Sequence, residues 1–144
     1  MWQYASVDGF PTDWHLMHLG RLADGGGGLV FQEGANVERR GRGAFGDLGL
    51  WDDKYIAPLQ RLVAIMRANG ATPGIQLMQC GRKARTKPPA EGRGRLERSD
   101  AIRDWEEWGP TAPSAVPLKE GLEPPRARKR LGAMCSNCTA PTAI

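Results

Sequence analysis

The sequence is poor in cysteine, in long apolar runs and in net negative charge, and each shortage excludes something. Its three cysteines, Cys80, Cys135 and Cys138, are too few and too unevenly placed to form a disulfide framework. A reducing compartment follows, and the cytoplasm is the expected location. No run approaches the roughly 18–20 consecutive apolar residues of a membrane span, so no membrane partner is expected. The start, Met1-Trp2-Gln3-Tyr4, lacks a charged-then-apolar leader pattern and reads like the middle of an element. Net charge is +4 over 144 residues, a mild basicity that suits phosphate groups without implying nucleic acid.

Glycine and proline are plentiful: 19 and 11 residues, about a fifth of the chain, which forecasts long irregular segments. The length is that of one modest domain. Thr12 or Asp13 can cap a helix running to about Ala23, with Leu16, Leu19, Leu22 and Ala23 on one face. Gly25 to Gly28 stop it, and Leu29-Val30-Phe31 reads as a buried strand. That glycine run precedes a strand, whereas a dinucleotide loop follows one and opens a helix. Asp52 can cap a second helix through Asn69, with Ile56, Leu59, Leu62, Val63 and Met66 on its apolar face. Pro58 then falls beyond the first turn, where it would kink the helix. Residues 1–5 read as a strand end and 73–79 as another strand. Strands alternating with helices predict an α/β fold with a parallel sheet. From 84 onward the periodicity disappears, with Trp105 and Trp108 the only large anchors before a basic tail opening at Arg126.

The most informative stretch is Gly74-Ile75-Gln76-Leu77-Met78-Gln79-Cys80-Gly81-Arg82-Lys83. A short apolar run encloses one amide, and Gly81 opens it into a basic loop. This predicts a buried strand with Gln76 pointing inward, where an unpaired amide would cost about 1–3 kcal/mol. Ligands of α/β folds sit at that end of the strands. On the residues alone, a core strand with a satisfied glutamine is the plainer account.

Other residues carry weaker chemical signals. His15 and His18 lie one helical turn apart and could face a metal together, but no third ligand accompanies them, so packing or surface roles are expected and no metal site is assigned. Cys135-Ser136-Asn137-Cys138 is a single C-x-x-C without partners, read as incidental. A non-enzymatic alternative is a noncatalytic basic module whose 126–144 tail binds nucleic acid; a solvated, disordered tail is the preferred reading.

Taken in order, Gln3-Tyr4, Asp8-Gly9, Asp13-Trp14-His15, His18-Leu19, Gly28-Leu29-Val30, Glu33, Gly41-Arg42, Gly46-Asp47-Leu48-Gly49-Leu50-Trp51, Gly74-Ile75-Gln76-Leu77, Gly81-Arg82-Lys83 and Pro113-Ser114-Ala115-Val116-Pro117 resemble the old yellow enzyme family, in its xenobiotic-reductase-like bacterial branch. The resemblance covers about residues 1–120 and displaces the plainer account of Gln76. It implies the N-terminal portion of a TIM (β/α)8 barrel, truncated, as a partial FMN-binding domain over 1–120 with a non-family tail over 121–144. It implies an FMN-dependent oxidoreductase that passes hydride from NADPH or NADH to an activated alkene, and is compatible with a homo-oligomer. By position, Gln76 corresponds to the glutamine at the flavin pyrimidine edge. Gly34 corresponds to the small residue whose backbone lies against the flavin, and Tyr4 to a tyrosine beside the substrate. Trp2 and Gln3 fall in the flavin-facing N-terminal segment. Trp2 stands where this branch carries a cysteine, and Gln79 where it carries a histidine. The family's later strands, with its substrate-carbonyl pair and its main phosphate loops, have no counterpart here. Two or three strands with two helices leave open sheet edges, which predicts marginal stability for the chain alone and little or no turnover.

Overall fold

The computed structural model describes residues 1–92, 94–97, 108–120 and 122–127. Trp105, the cysteine pair at 135 and 138, and the basic tail from 128 fall outside that set. Two helices pack on one face of a small parallel sheet. Helix α1 spans Asp13–Asp24, strand β1 Leu29–Asn36, strand β2 Leu48–Gly49, helix α2 Ile56–Ala68 and strand β3 Thr72–Met78. The sheet order is β2-β1-β3, with both pairings parallel, as the alternation of strand and helix requires. A bulge between Gln32 and Gly34 shifts the register of β1 on β3. Further on, Thr111–Ala112 (β4) and Arg126–Ala127 (β5) form a two-residue parallel pair.

The main core is the helix–sheet interface. Leu19 and Ala23 of α1 meet Leu59, Leu62 and Met66 of α2 over Val30 of β1, with Tyr55 and Ala71 closing the ends. The α1 face falls where its periodicity puts it, except that Leu22 is exposed. In α2, Ile56 is also exposed, because a short 3-10 turn at Asp53–Tyr55 delays the α-helix to Ile56 itself. That delay corrects the expected kink at Pro58. The proline sits in the first α-turn, where backbone N–H groups have no intrahelical acceptor and none is lost.

Two more expectations are corrected. Residues 1–5 form no strand; the segment meets the main chain of β1 through Gly34 N–H to the Met1 carbonyl at 2.8 Å. Nor is β3 a buried strand. Leu77 is 60% exposed, and Ile75 and Gln76 are exposed with it. The cause is position in the sheet: β3 pairs with β1 on one side and lies at the edge on the other. Phe31, on the face of β1 opposite the helices, is likewise 61% exposed, with its ring over Gly74.

A second core lies beyond the strand ends. The ring of Trp108 is fully buried against Ala84, Leu96, Phe45 and Cys80. Its indole N–H donates to the Arg42 carbonyl at 2.8 Å, and the Arg42 guanidinium lies 4.4 Å over its ring. Arg85, itself buried, donates to the Trp108 carbonyl. Sequence separations of 66 and 23 residues make these contacts long-range fasteners for an otherwise irregular segment.

Candidate functional site

The C-terminal ends of the three strands converge with the N-terminal segment, and the sequence-derived residues meet there. Gln76 of β3 stands opposite Gly34 of β1 in the register. Its amide oxygen accepts from the Met1 amino group at 2.6 Å. A Cβ on Gly34 would lie 2.5 Å from Met78 Cγ and 3.0 Å from Trp2 Nε1, so the missing side chain lets Met78 and Trp2 close over the strand. The Trp2 indole N–H is buried without a hydrogen-bond partner among the described residues. Leaving such a donor unpaired costs about 1–3 kcal/mol, which an incoming acceptor would recover. Tyr4 lies 6.3 Å from Trp2, ring to ring, and is half-buried with a left-handed φ of 57°.

The structure reveals supports to which the sequence assigned no role. Glu33, at the bulge of β1, is buried and accepts from the Gln3 backbone N–H through one oxygen. Its other oxygen meets His15 Nε2 at 2.8 Å. The opposite ring nitrogen of His15, Nδ1, accepts the Thr12 N–H at 3.0 Å, so the proton belongs on Nε2 and points at the carboxylate. His15 thereby fastens the start of α1 to β1 and is packed, while His18 stacks on Trp14 with ring centroids 4.7 Å apart. Gln3 itself therefore contributes main chain to this fastening. The signal was a histidine two residues inside a helix start followed by a glutamate in a strand, too common a pattern to single out.

Asp47 is the second such support. It is fully buried between β1 and β2. Its Oδ2 accepts from Gly43 N–H at 2.7 Å, Ala44 N–H at 3.0 Å and Asn36 Nδ2 at 3.3 Å, while Oδ1 has no partner among the described residues. Burial raises its carboxyl to about 6, against the lowering effect of those donors. The Cys80 thiol nearby is pushed up to about 12, by burial first and by the Asp47 charge second. A thiol so held is a packing group and a poor nucleophile at neutral pH. Gln79 turns inward, its Nε2 donating to Thr111 Oγ1 at 3.2 Å and its oxygen accepting Gly81 N–H at 2.6 Å, which fixes the loop after β3.

Tested against a flavin, the donor set suits one edge of a pyrimidine ring. An exposed primary amide can both donate and accept, and an orphaned indole N–H adds a donor beside it. Among the described residues, no three histidine, cysteine or acidic side chains gather as a metal site, and no helix is long and apolar enough to cross a membrane.

A NADH:flavin oxidoreductase of Gibberella zeae is 36% identical over 122 residues, covering 85% of this chain and 29% of its own. A NADPH dehydrogenase of Listeria monocytogenes is 44% identical over 84 residues, covering 58% and 25%. The solved structure of morphinone reductase superposes with a TM-score of 0.66 at 22% identity, over 88% of this chain and 33% of its own, which shows the fold. The chain thus spans about a quarter to a third of the length of these relatives, and its α/β layers are a portion of their TIM barrel. The family model for the NADH:flavin oxidoreductase / NADH oxidase family matches residues 1–134, and the chain belongs to that family, the old yellow enzymes.

Proposed function

We propose that this chain forms the strand-end part of a flavin site in an oxidoreductase that moves hydride from NADH or NADPH, through FMN, to an electron-poor alkene. The observation that carries the reading is the exposed amide of Gln76 beside the buried, unpartnered indole N–H of Trp2, in a chain whose family is a flavin family. Bound FMN supplies the two-electron chemistry. Gln76 donates to and accepts from the pyrimidine edge, exchanging its bond to the Met1 amino group for the ligand. Gly34 lets Trp2 and Met78 sit close against β1, and the Trp2 N–H would meet a carbonyl acceptor once the indole turns out from that contact. Tyr4 supplies a phenol that donates to the substrate's electron-withdrawing group. A cytoplasmic setting and a small-molecule alkene substrate belong to the same reading.

The test is quenching of tryptophan fluorescence on titration with FMN, followed by desalting and a visible absorbance scan. Wild-type chain is expected to retain flavin bands. Gln76→Leu, which removes both amide bonds, is expected to weaken binding about tenfold, the equivalent of 1.4 kcal/mol. Unchanged affinity in that variant would remove Gln76 from the site. NADPH oxidation with cyclohexenone then asks for turnover, and little or none is expected from this chain alone.

A further inference from the structure

Tyr4 occupies a left-handed backbone conformation, with φ of 57°. For a residue with a bulky side chain this is an outlier that persists only where its surroundings enforce it. What surrounds it is the turn at residues 43–47. Gly46 lies so close that a Cβ there would stand 2.4 Å from the Tyr4 carbonyl oxygen and 2.7 Å from its Cα. These are backbone atoms, which cannot step aside as the end of a flexible side chain would. Next along, Ser6 N–H donates to the Gly46 carbonyl at 3.0 Å and Ser6 Oγ donates to the Asp47 carbonyl at 2.6 Å. The turn is closed from within by the Asp47 carboxylate, which gathers the N–H groups of Gly43 and Ala44, and from β1 by Asn36. Five hydrogen bonds and one forced approach therefore link a buried carboxylate and its turn to Ser6 and to the main chain of Tyr4.

We propose that the Asp47-closed turn at 43–47 is the positioning element for Tyr4, with Asp47 acting through the turn, out of contact with any ligand. The proposal rests on the reading of Tyr4 as the substrate-facing phenol for its functional meaning, while the placement itself is a separate claim. The groups around Asp47 are Asn36 and Glu33 from β1, Cys80 from the loop after β3, and Ser6 from the N-terminal segment; Glu33 adds a repulsive charge. Protonating Asp47 weakens the acceptor that closes the turn, so Tyr4 should sense that proton.

The chain has two tyrosines, Tyr4 and Tyr55, which makes the test direct. With 3-fluorotyrosine incorporated, the intact chain gives two fluorine resonances, assigned by Tyr4→Phe. The Tyr4 resonance is expected to titrate with a midpoint near pH 6, following Asp47, while that of Tyr55, whose hydroxyl donates to the Asp8 carbonyl outside this turn, is not. Asp47→Asn should abolish the inflection. Gly46→Ala should displace or broaden the Tyr4 resonance and leave Tyr55 in place as the internal measure of folding. If Gly46→Ala does not fold, Ser6→Ala, which removes one hydrogen bond, carries the decision and should displace the Tyr4 resonance in the same direction. A Tyr4 resonance unmoved in the folded variants, or an inflection that survives Asp47→Asn, overturns the proposal. Failure of the substrate reading registers separately, as a Tyr4→Phe variant that, loaded with FMN, binds cyclohexenone as tightly as the wild-type chain.

Discussion

The helix-facing layer and the strand-end layer of this molecule are built by different means. Between α1, α2 and β1 the contacts are apolar: Leu19, Leu59, Leu62 and Met66 exclude water, and any chain with that periodicity would do much the same. At the strand ends the buried residues include Asn36 and Asp47, which bond each other, and Arg42 and Arg85, which both meet Trp108 from far along the sequence. Burial of such groups is stabilising only when every donor and acceptor is matched. The first layer therefore tolerates change in kind and the second does not, and the residues assigned to flavin and substrate lie against the second.

Four measurements would break or sharpen this contrast. The largest effect is expected from Trp108→Ala, at about 3–5 kcal/mol for a buried aromatic. It should release the second core selectively, so that hydrogen exchange accelerates at the amides of Gly43, Ala44 and Thr86, which bond within the strand-end layer, and is preserved along α2. Leu62→Ala should cost about 2–4 kcal/mol and act globally, lowering protection in both layers, because its cavity opens under the whole sheet. Since the chain alone is expected to be marginally stable, a denaturant melt of Leu62→Ala should show little or no folded baseline; a steep wild-type transition worth several kcal/mol would contradict that expectation. The third effect is a pH dependence. Asp47 is raised from 3.8 to about 6 on folding, so the native state holds the extra proton between those values. Its contribution to stability is therefore greatest below pH 4, declines as pH rises toward 6 and is flat above, a change of up to about 3 kcal/mol. Asp47→Asn should flatten that part of the profile when melts are compared at pH 4 and pH 7. The smallest effect is expected at Arg61→Ala. Its contact with Asp13 spans 3.8 Å between two largely exposed side chains, and the melting free energy should move by less than about 0.5 kcal/mol.

The same contrast decides how much could be read in advance. Helix α1 and the buried face of α2 follow from 3.6-residue spacing, and the strand–helix alternation fixed a parallel α/β sheet. The meeting of Gln76, Gly34, Trp2 and Tyr4 was reached through family resemblance alone; no spacing rule brings residues 2 and 76 together. Leu77 and Ile75 defeated the expectation of burial because composition reports that a strand is apolar and says nothing of whether a neighbour covers it. Pro58 defeated the expectation of a kink because a 3-10 turn moved the helix start by three residues, a shift below what capping signals resolve. The supports at Glu33, His15 and Asp47 are buried polar groups that join separate elements, His15 of α1 to Glu33 of β1 and Asn36 of β1 to Asp47, so their pairing becomes visible only once the strands are in register.

The placement of β3 at the sheet edge has a consequence for handling the protein. From Ala68 to Gly81 the chain carries no charged side chain, and the exposed Ile75 and Leu77 lie in its middle. An uncharged, apolar edge strand is a template on which a further strand can be laid, and native proteins usually blunt such edges with lysine or a covering element. Here the only blunting residue within β3 is Pro73, near its start. The openness that exposes the Gln76 amide to a ligand is also an openness to fibril-like stacking, so a ligand seated at that strand end would act as a solubilising agent as well as a cofactor.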